Sequence, residues 1–120
     1  MPPLVFVVRG SGLHLYALAE DRRPTPETAL YRAPFYNLYV QGNVCTGSMP
    51  APKGVTPANT DAYERTYFGS NFSHPNAAPL LNPRAWRGGY GEAWLEARSR
   101  GHFPSEWLVE QGKTLAEALT

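Results

Sequence analysis

The chain's only cysteine, Cys45, sits in the stretch Tyr36 to Gly47, which reads YNLYVQGNVCTG. It follows a Gly42-Asn43 turn and lies eight residues after Asn37, outside any apolar run. A structural cysteine usually sits buried among apolar residues and stays inert. A thiol in a loop past a glycine can instead reach solvent as the nucleophilic thiolate. Gly42 supplies a permissive backbone for such a loop. His74, in Phe72-Ser73-His74-Pro75-Asn76, is the nearest candidate base, able to take a proton or orient the thiol. Bland readings stand beside these: a loop histidine before proline can cap a turn, and Asn37 can hydrogen-bond its own backbone. His14, in a strand, and His102, after the helix-stopping Gly101, read as structural or surface residues.

These side chains need a scaffold, and composition bounds it. A chain of 120 residues can bury one modest core, so a single domain over 1–120 is expected. Twelve prolines and eleven glycines require much turn and loop. A formal net charge of +1 gives no electrostatic ground for nucleic-acid binding. The apolar run Leu4 to Val8 is too short to span a bilayer, and no basic segment precedes it. A soluble cytoplasmic protein without membrane contact is therefore expected. One cysteine cannot form an internal disulfide, and metal-type Cys/His spacing is lacking, so no metal or cofactor is expected.

The first half reads as β-structure. Leu4 to Val8 and Leu13 to Leu18, joined across Gly10-Ser11-Gly12, form a hairpin pattern. A charged, proline-containing loop follows from Glu20 to Thr28. A third strand is expected at Ala29 to Arg32 and a fourth extended piece at Tyr36 to Val40, with Cys45 just beyond it. Pro34 keeps its predecessor out of helical geometry. The second half reads as helical and irregular. Asn59 or Thr60 can cap a helix that carries Tyr63 and Tyr67 on one face and stops at Gly69. A second helix is predicted from about Gly89 to Arg100, its inner face Tyr90, Ala93, Trp94 and Ala97. Thr114-Leu115-Ala116-Glu117 fits a capping box for a short last helix. The fold class expected is α+β, an antiparallel meander followed by helices.

The pattern Asn37-Leu38-Tyr39-x-x-Gly42-x-Val44-Cys45 resembles the active-site segment of ubiquitin-conjugating enzymes. That family carries His-Pro-Asn, an apolar residue, often Tyr, then Gly, one residue, Ile and the catalytic Cys. Its Asn, Gly and Ile precede its Cys by the same eight, three and one residues. The order of elements agrees too: a β-meander, the active-site loop, then helices. The segments Arg23 to Thr28, Leu30 to Phe35, Tyr67 to Asn76, Phe103 to Leu108 and Gly112 to Leu115 are similar to the bacterial branch called prokaryotic family D, whose best-known members are the B proteins of the PRTRC mobile gene cassettes. Those proteins are usually longer at the amino end.

The resemblance implies a ubiquitin-conjugating-enzyme-like (UBC-like) fold and a transferase that accepts a ubiquitin-like protein as a thioester on Cys45 and passes it to an amine. It implies Asn37 as the amide that stabilises the oxyanion formed during aminolysis. The partners it implies are the ubiquitin-like protein, a ThiF-like adenylating enzyme and a JAB-type peptidase of the same operon. Departures are visible. Phe35-Tyr36-Asn37 replaces His-Pro-Asn, the wider family's Trp after the Cys has no counterpart near Cys45, and the first strand begins where eukaryotic enzymes carry a helix. Two other function classes remain open on the residues: a non-catalytic binding module on the same fold, and a small hydrolase using Cys45 and His74 as a dyad.

Overall fold

A computed structural model of the chain describes residues 1–9, 12–44, 68 and 79–120. The expected hairpin is present. Strand β1 (Leu4–Arg9) pairs antiparallel with β2 (Gly12–Ala17), from Leu4 opposite Ala17 to Arg9 opposite Gly12. Strand β3 (Ala29–Arg32) joins the other edge of β2, but only at Tyr16 and Ala17.

The fourth strand is not the extended piece expected at Tyr36 to Val40. Residues 36–37 bend, and Leu38 makes a single bridge to Val44. The sheet is completed instead by β4 (Glu110–Thr114), giving the antiparallel order β1-β2-β3-β4. The residues EQGKT carry no apolar alternation, because β4 is a mostly polar edge whose pattern is interrupted. Three residues of β3, from Ala29 to Tyr31, oppose five of β4, from Thr114 to Glu110. Gly112 lies inside this irregularity at φ +80°, a conformation that costs glycine nothing.

Among the described residues, two α-helices with defined bounds flank the sheet. Helix α1 (Tyr90–Arg100) ends at Gly101, whose φ of +78° gives the left-handed stop expected there. Its Ala93 and Ala97 are buried with Ala17, Phe103, Trp107 and Leu108, and Leu4, Tyr31 and Trp94 pack against that group. Helix α2 (Leu115–Leu119) starts with the predicted capping box, in which Thr114 and Glu117 bond each other's backbone N–H. It serves the opposite face, where Ala118 is buried with Val7, Tyr16, Leu18 and Leu30. Strand alternation sorts these sets: Leu4, Leu13, Leu15 and Ala17 face α1's side, and Val5, Val7 and Tyr16 face α2's. An aromatic chain runs along the α1 side, from Phe6 through Phe68, Phe35, Trp94, Phe103 and Trp107 to Trp86.

The architecture is α+β and UBC-like in its antiparallel sheet with helices. Of the helix expected from Asn59 or Thr60, only Phe68 lies within the described residues, and it is helical. No helix among the described residues is long and apolar enough to cross a membrane.

Removing the cap tests how α2 is held. Thr114→Ala should cost about 1 kcal/mol, read as a lower urea midpoint at unchanged slope.

Candidate active site

The short reach of β3 decides what happens next to the candidate site. Because β3 stops pairing at Tyr16, the Leu13–Leu15 part of that edge of β2 is open to another partner. The chain returns there after one tight reversal. Gly42 donates from its backbone N–H to Tyr39 O at 2.9 Å and closes a four-residue turn, Tyr39 to Gly42. The two arms then pair. Tyr39 N–H donates to Asn43 O at 2.9 Å, and Leu38 bridges Val44. The return arm docks on β2, with Leu15 N–H donating to Gly42 O at 2.9 Å and Val44 N–H to Leu13 O at 2.8 Å. His14 and Asn43 therefore face each other as a non-hydrogen-bonded pair, the kind in which side chains approach most closely.

Apolar packing anchors the arms from beneath. Leu38 and Val44 are buried with Leu13, Leu15, Ala33 and Phe35. The turn's tip faces outward, with Tyr39 and Val40 exposed at 44% and 46%.

Asn37 stands at the base of this hairpin. Among the described residues it is the one buried polar residue, 7% exposed, and its φ of +64° is the one positive value outside glycine. Asparagine is the side-chain-bearing residue best suited to that left-handed conformation, which a β-branched residue resists. The bend that precedes it is gripped by α1. The Tyr90 hydroxyl donates to Pro34 O at 2.5 Å, and its ring stacks on Tyr36 with centroids 5.1 Å apart. Burial raises the Tyr90 phenol above the ordinary tyrosine value, and the neighbouring Tyr36 acts in the same direction.

Gly42 has no room for a side chain. Its φ is +90°, and a Cβ there would lie 2.4 Å from Cε1 of the fully buried Tyr16. The same Tyr16 holds the turn by its other end, its hydroxyl donating to Gln41 O at 3.1 Å. From β4, Gln111 Nε2 donates to Val40 O at 2.8 Å. Lys113 Nζ lies 3.5 Å from the Tyr16 hydroxyl and 5.5 Å from its ring centroid. Sequence reasoning missed Tyr16, Tyr90, Gln111 and Lys113. Each meets the site from far along the chain, and no local pattern marks them.

Of the residues singled out for chemistry, Asn37 is placed and Gly42 forms the turn next to it. Cys45 and His74 lie outside the described residues. His14 is in a strand, as expected, and the bridge brings it opposite the hairpin; His102 is exposed after Gly101. Among the described residues no cluster of three or more His, Cys, Asp or Glu could hold a metal ion. The arrangement provides a buried amide on a fixed backbone, next to the chain that leads into Cys45.

Two measurements check this geometry. Gly42→Ala should lower stability by about 3 kcal/mol in denaturant titration, combining backbone strain with overlap on a buried ring. Tyr90 gives a signed pH effect. With its folded pKa raised, its contribution is complete below the unfolded value of about 10 and is lost as pH climbs through the folded one. Stability of the parent should thus fall more steeply above about pH 10 than that of Tyr90→Phe.

No curated protein and no solved structure matches the chain. The family model described as "Prokaryotic E2 family D" matches residues 1–111, a span that takes in both arms of the hairpin, Asn37, Cys45, His74 and the first two residues of β4, Glu110 and Gln111. The chain, with this sheet and this hairpin, belongs to prokaryotic E2 family D.

Proposed function

We propose that this protein is a bacterial ubiquitin-conjugating-like transferase that carries a ubiquitin-like protein as a thioester on Cys45 and transfers it to an amine. The observation that carries the reading is Asn37: buried, held in a left-handed conformation, and next to Leu38 of the Leu38–Val44 bridge. Cys45 is bonded directly to Val44, so covalent geometry alone keeps the thiol-bearing residue close to that amide. Family membership supports the same reading.

The steps follow from these groups. The Cys45 thiolate attacks the carboxyl-terminal thioester of the ubiquitin-like protein on a ThiF-like adenylating enzyme. A new S–C bond forms, the old one breaks, and the enzyme's thiolate leaves. Thiols of similar pKa keep this exchange near balance. An amine nitrogen then attacks the Cys45 thioester, and the amide of Asn37 donates to the oxyanion that develops. One such donor is typically worth about 2.7–4 kcal/mol. Collapse breaks the C–S bond, returns the Cys45 thiolate and leaves an amide, while His74 accepts the proton lost by the amine. The 120 residues act as a single UBC-like domain. A JAB-type peptidase of the same operon would cleave the product, as expected for a PRTRC-type cassette.

Loading and discharge test this separately. With the adenylating enzyme and ATP present, Cys45 should form an adduct that reductant removes. Cys45→Ser should give a reductant-resistant, hydroxylamine-sensitive ester or none, while staying folded. Asn37→Gly keeps the left-handed backbone and deletes only the amide. It should load normally and discharge on the order of a hundredfold more slowly. Discharge at the parent rate would remove Asn37 from the chemistry, and absence of any Cys45 adduct in the parent would favour a non-catalytic binding module.

A further inference from the structure

The peptide groups of the turn are held to an unusual degree by residues distant in sequence. Its three successive carbonyls, Val40, Gln41 and Gly42, each accept a hydrogen bond from a different place: the Gln111 side chain of β4, the Tyr16 hydroxyl of β2 and the Leu15 backbone of β2. An exposed four-residue turn ordinarily leaves such groups to water. Two of the three bonds depend on β4. Gln111 makes one directly, and Lys113 lies against the hydroxyl and the ring of the residue that makes the other.

The contacts also form a directional chain. The Lys113 ammonium donates to the Tyr16 hydroxyl, the hydroxyl donates to Gln41 O, and the same peptide unit's Gly42 N–H donates to Tyr39 O. Hydrogen bonds in series polarise one another, and a charged first donor strengthens the rest. The bulge matters here. Gly112 at φ +80° lies between Gln111 and Lys113, and the extra residues of β4 let both reach the turn while the strand stays paired to β3.

We propose that β4 is a positioning element for the reaction at Cys45: Gln111, and Lys113 acting through Tyr16, fix the turn Tyr39–Gly42 and so the register in which Asn37 meets the chain entering Cys45. This rests on the functional reading above and deepens it. Gln111, Lys113 and Tyr16 touch no reacting atom in this scheme. They act by denying the hairpin alternative registers, one of which would displace the amide from the developing oxyanion. A misplacement of about 1 Å is enough to cost up to about a hundredfold in rate.

The test pairs a local probe with a chemical one on the whole chain. Gln111→Leu, Tyr16→Phe and Lys113→Met should each speed hydrogen exchange at the Gly42 amide at least tenfold, and slow single-turnover discharge of the Cys45 adduct by about tenfold. Loading should remain complete and the denaturant slope unchanged. Lys113→Arg should restore most of what Lys113→Met loses. If the lysine stem served only as packing, methionine would do as well as arginine and the proposal would fail. It would also fail if Gly42 exchange stayed at the parent rate, or if exchange rose while discharge did not slow. Should the parent form no adduct at Cys45, the functional reading falls, and Gly42 exchange still decides whether β4 holds the turn.

Discussion

Pairing of residues 42–44 with the open half of β2 is the constraint from which the rest of the site follows. An edge of unpaired N–H and C=O groups beside a buried sheet has to be satisfied. β3 satisfies it only at Tyr16 and Ala17. The remainder can be met by a chain that turns back within a few residues. That demand sets the tight reversal at Tyr39–Gly42, the left-handed Asn37 that begins it, and the glycine that lies against Tyr16. The return arm of the turn, residues 42–44, is therefore joined to the sheet rather than laid over it.

This explains why Asn37 and Gly42 are not interchangeable with neighbouring residue types. Both occupy positive φ, but for different reasons. Gly42 is excluded from carrying a Cβ by a ring, so only its absence of a side chain fits. Asn37 has its side chain buried, so the position tolerates left-handed geometry while retaining an amide. A motif of two residues five apart thus encodes one backbone requirement and one chemical group.

The sequence made a good part of this legible. β-Branched and alternating runs gave β1, β2 and β3, a glycine gave the end of α1, and Thr114 with Glu117 gave the start of α2. These are local signals, complete within a few residues. The piece expected as a strand at Tyr36 to Val40 failed because its composition suits a strand while its job is a reversal: the left-handed Asn37 and the demand for a partner to Leu13–Leu15 override propensity. β4 was illegible for the opposite reason. A polar edge strand has one neighbour and no apolar face, so nothing in EQGKT announces pairing. The spacing of Asn37, Gly42 and Cys45 was readable, whereas the residues that grip the turn were not, since their role exists only in three dimensions.

The bond from Gln111 to Val40 spans 71 residues, and the last strand enters the sheet only after α1 has been laid down. At the ribosome, the hairpin of β1 and β2, β3 and the turn emerge early, but the turn lacks its grip until β4 has emerged as well. Contacts of such separation are closed late and slowly. During synthesis, therefore, a partly emerged chain would already contain its cysteine without the β4 contacts to the turn. Order of synthesis alone thus places the grip on the turn after the turn itself has been made.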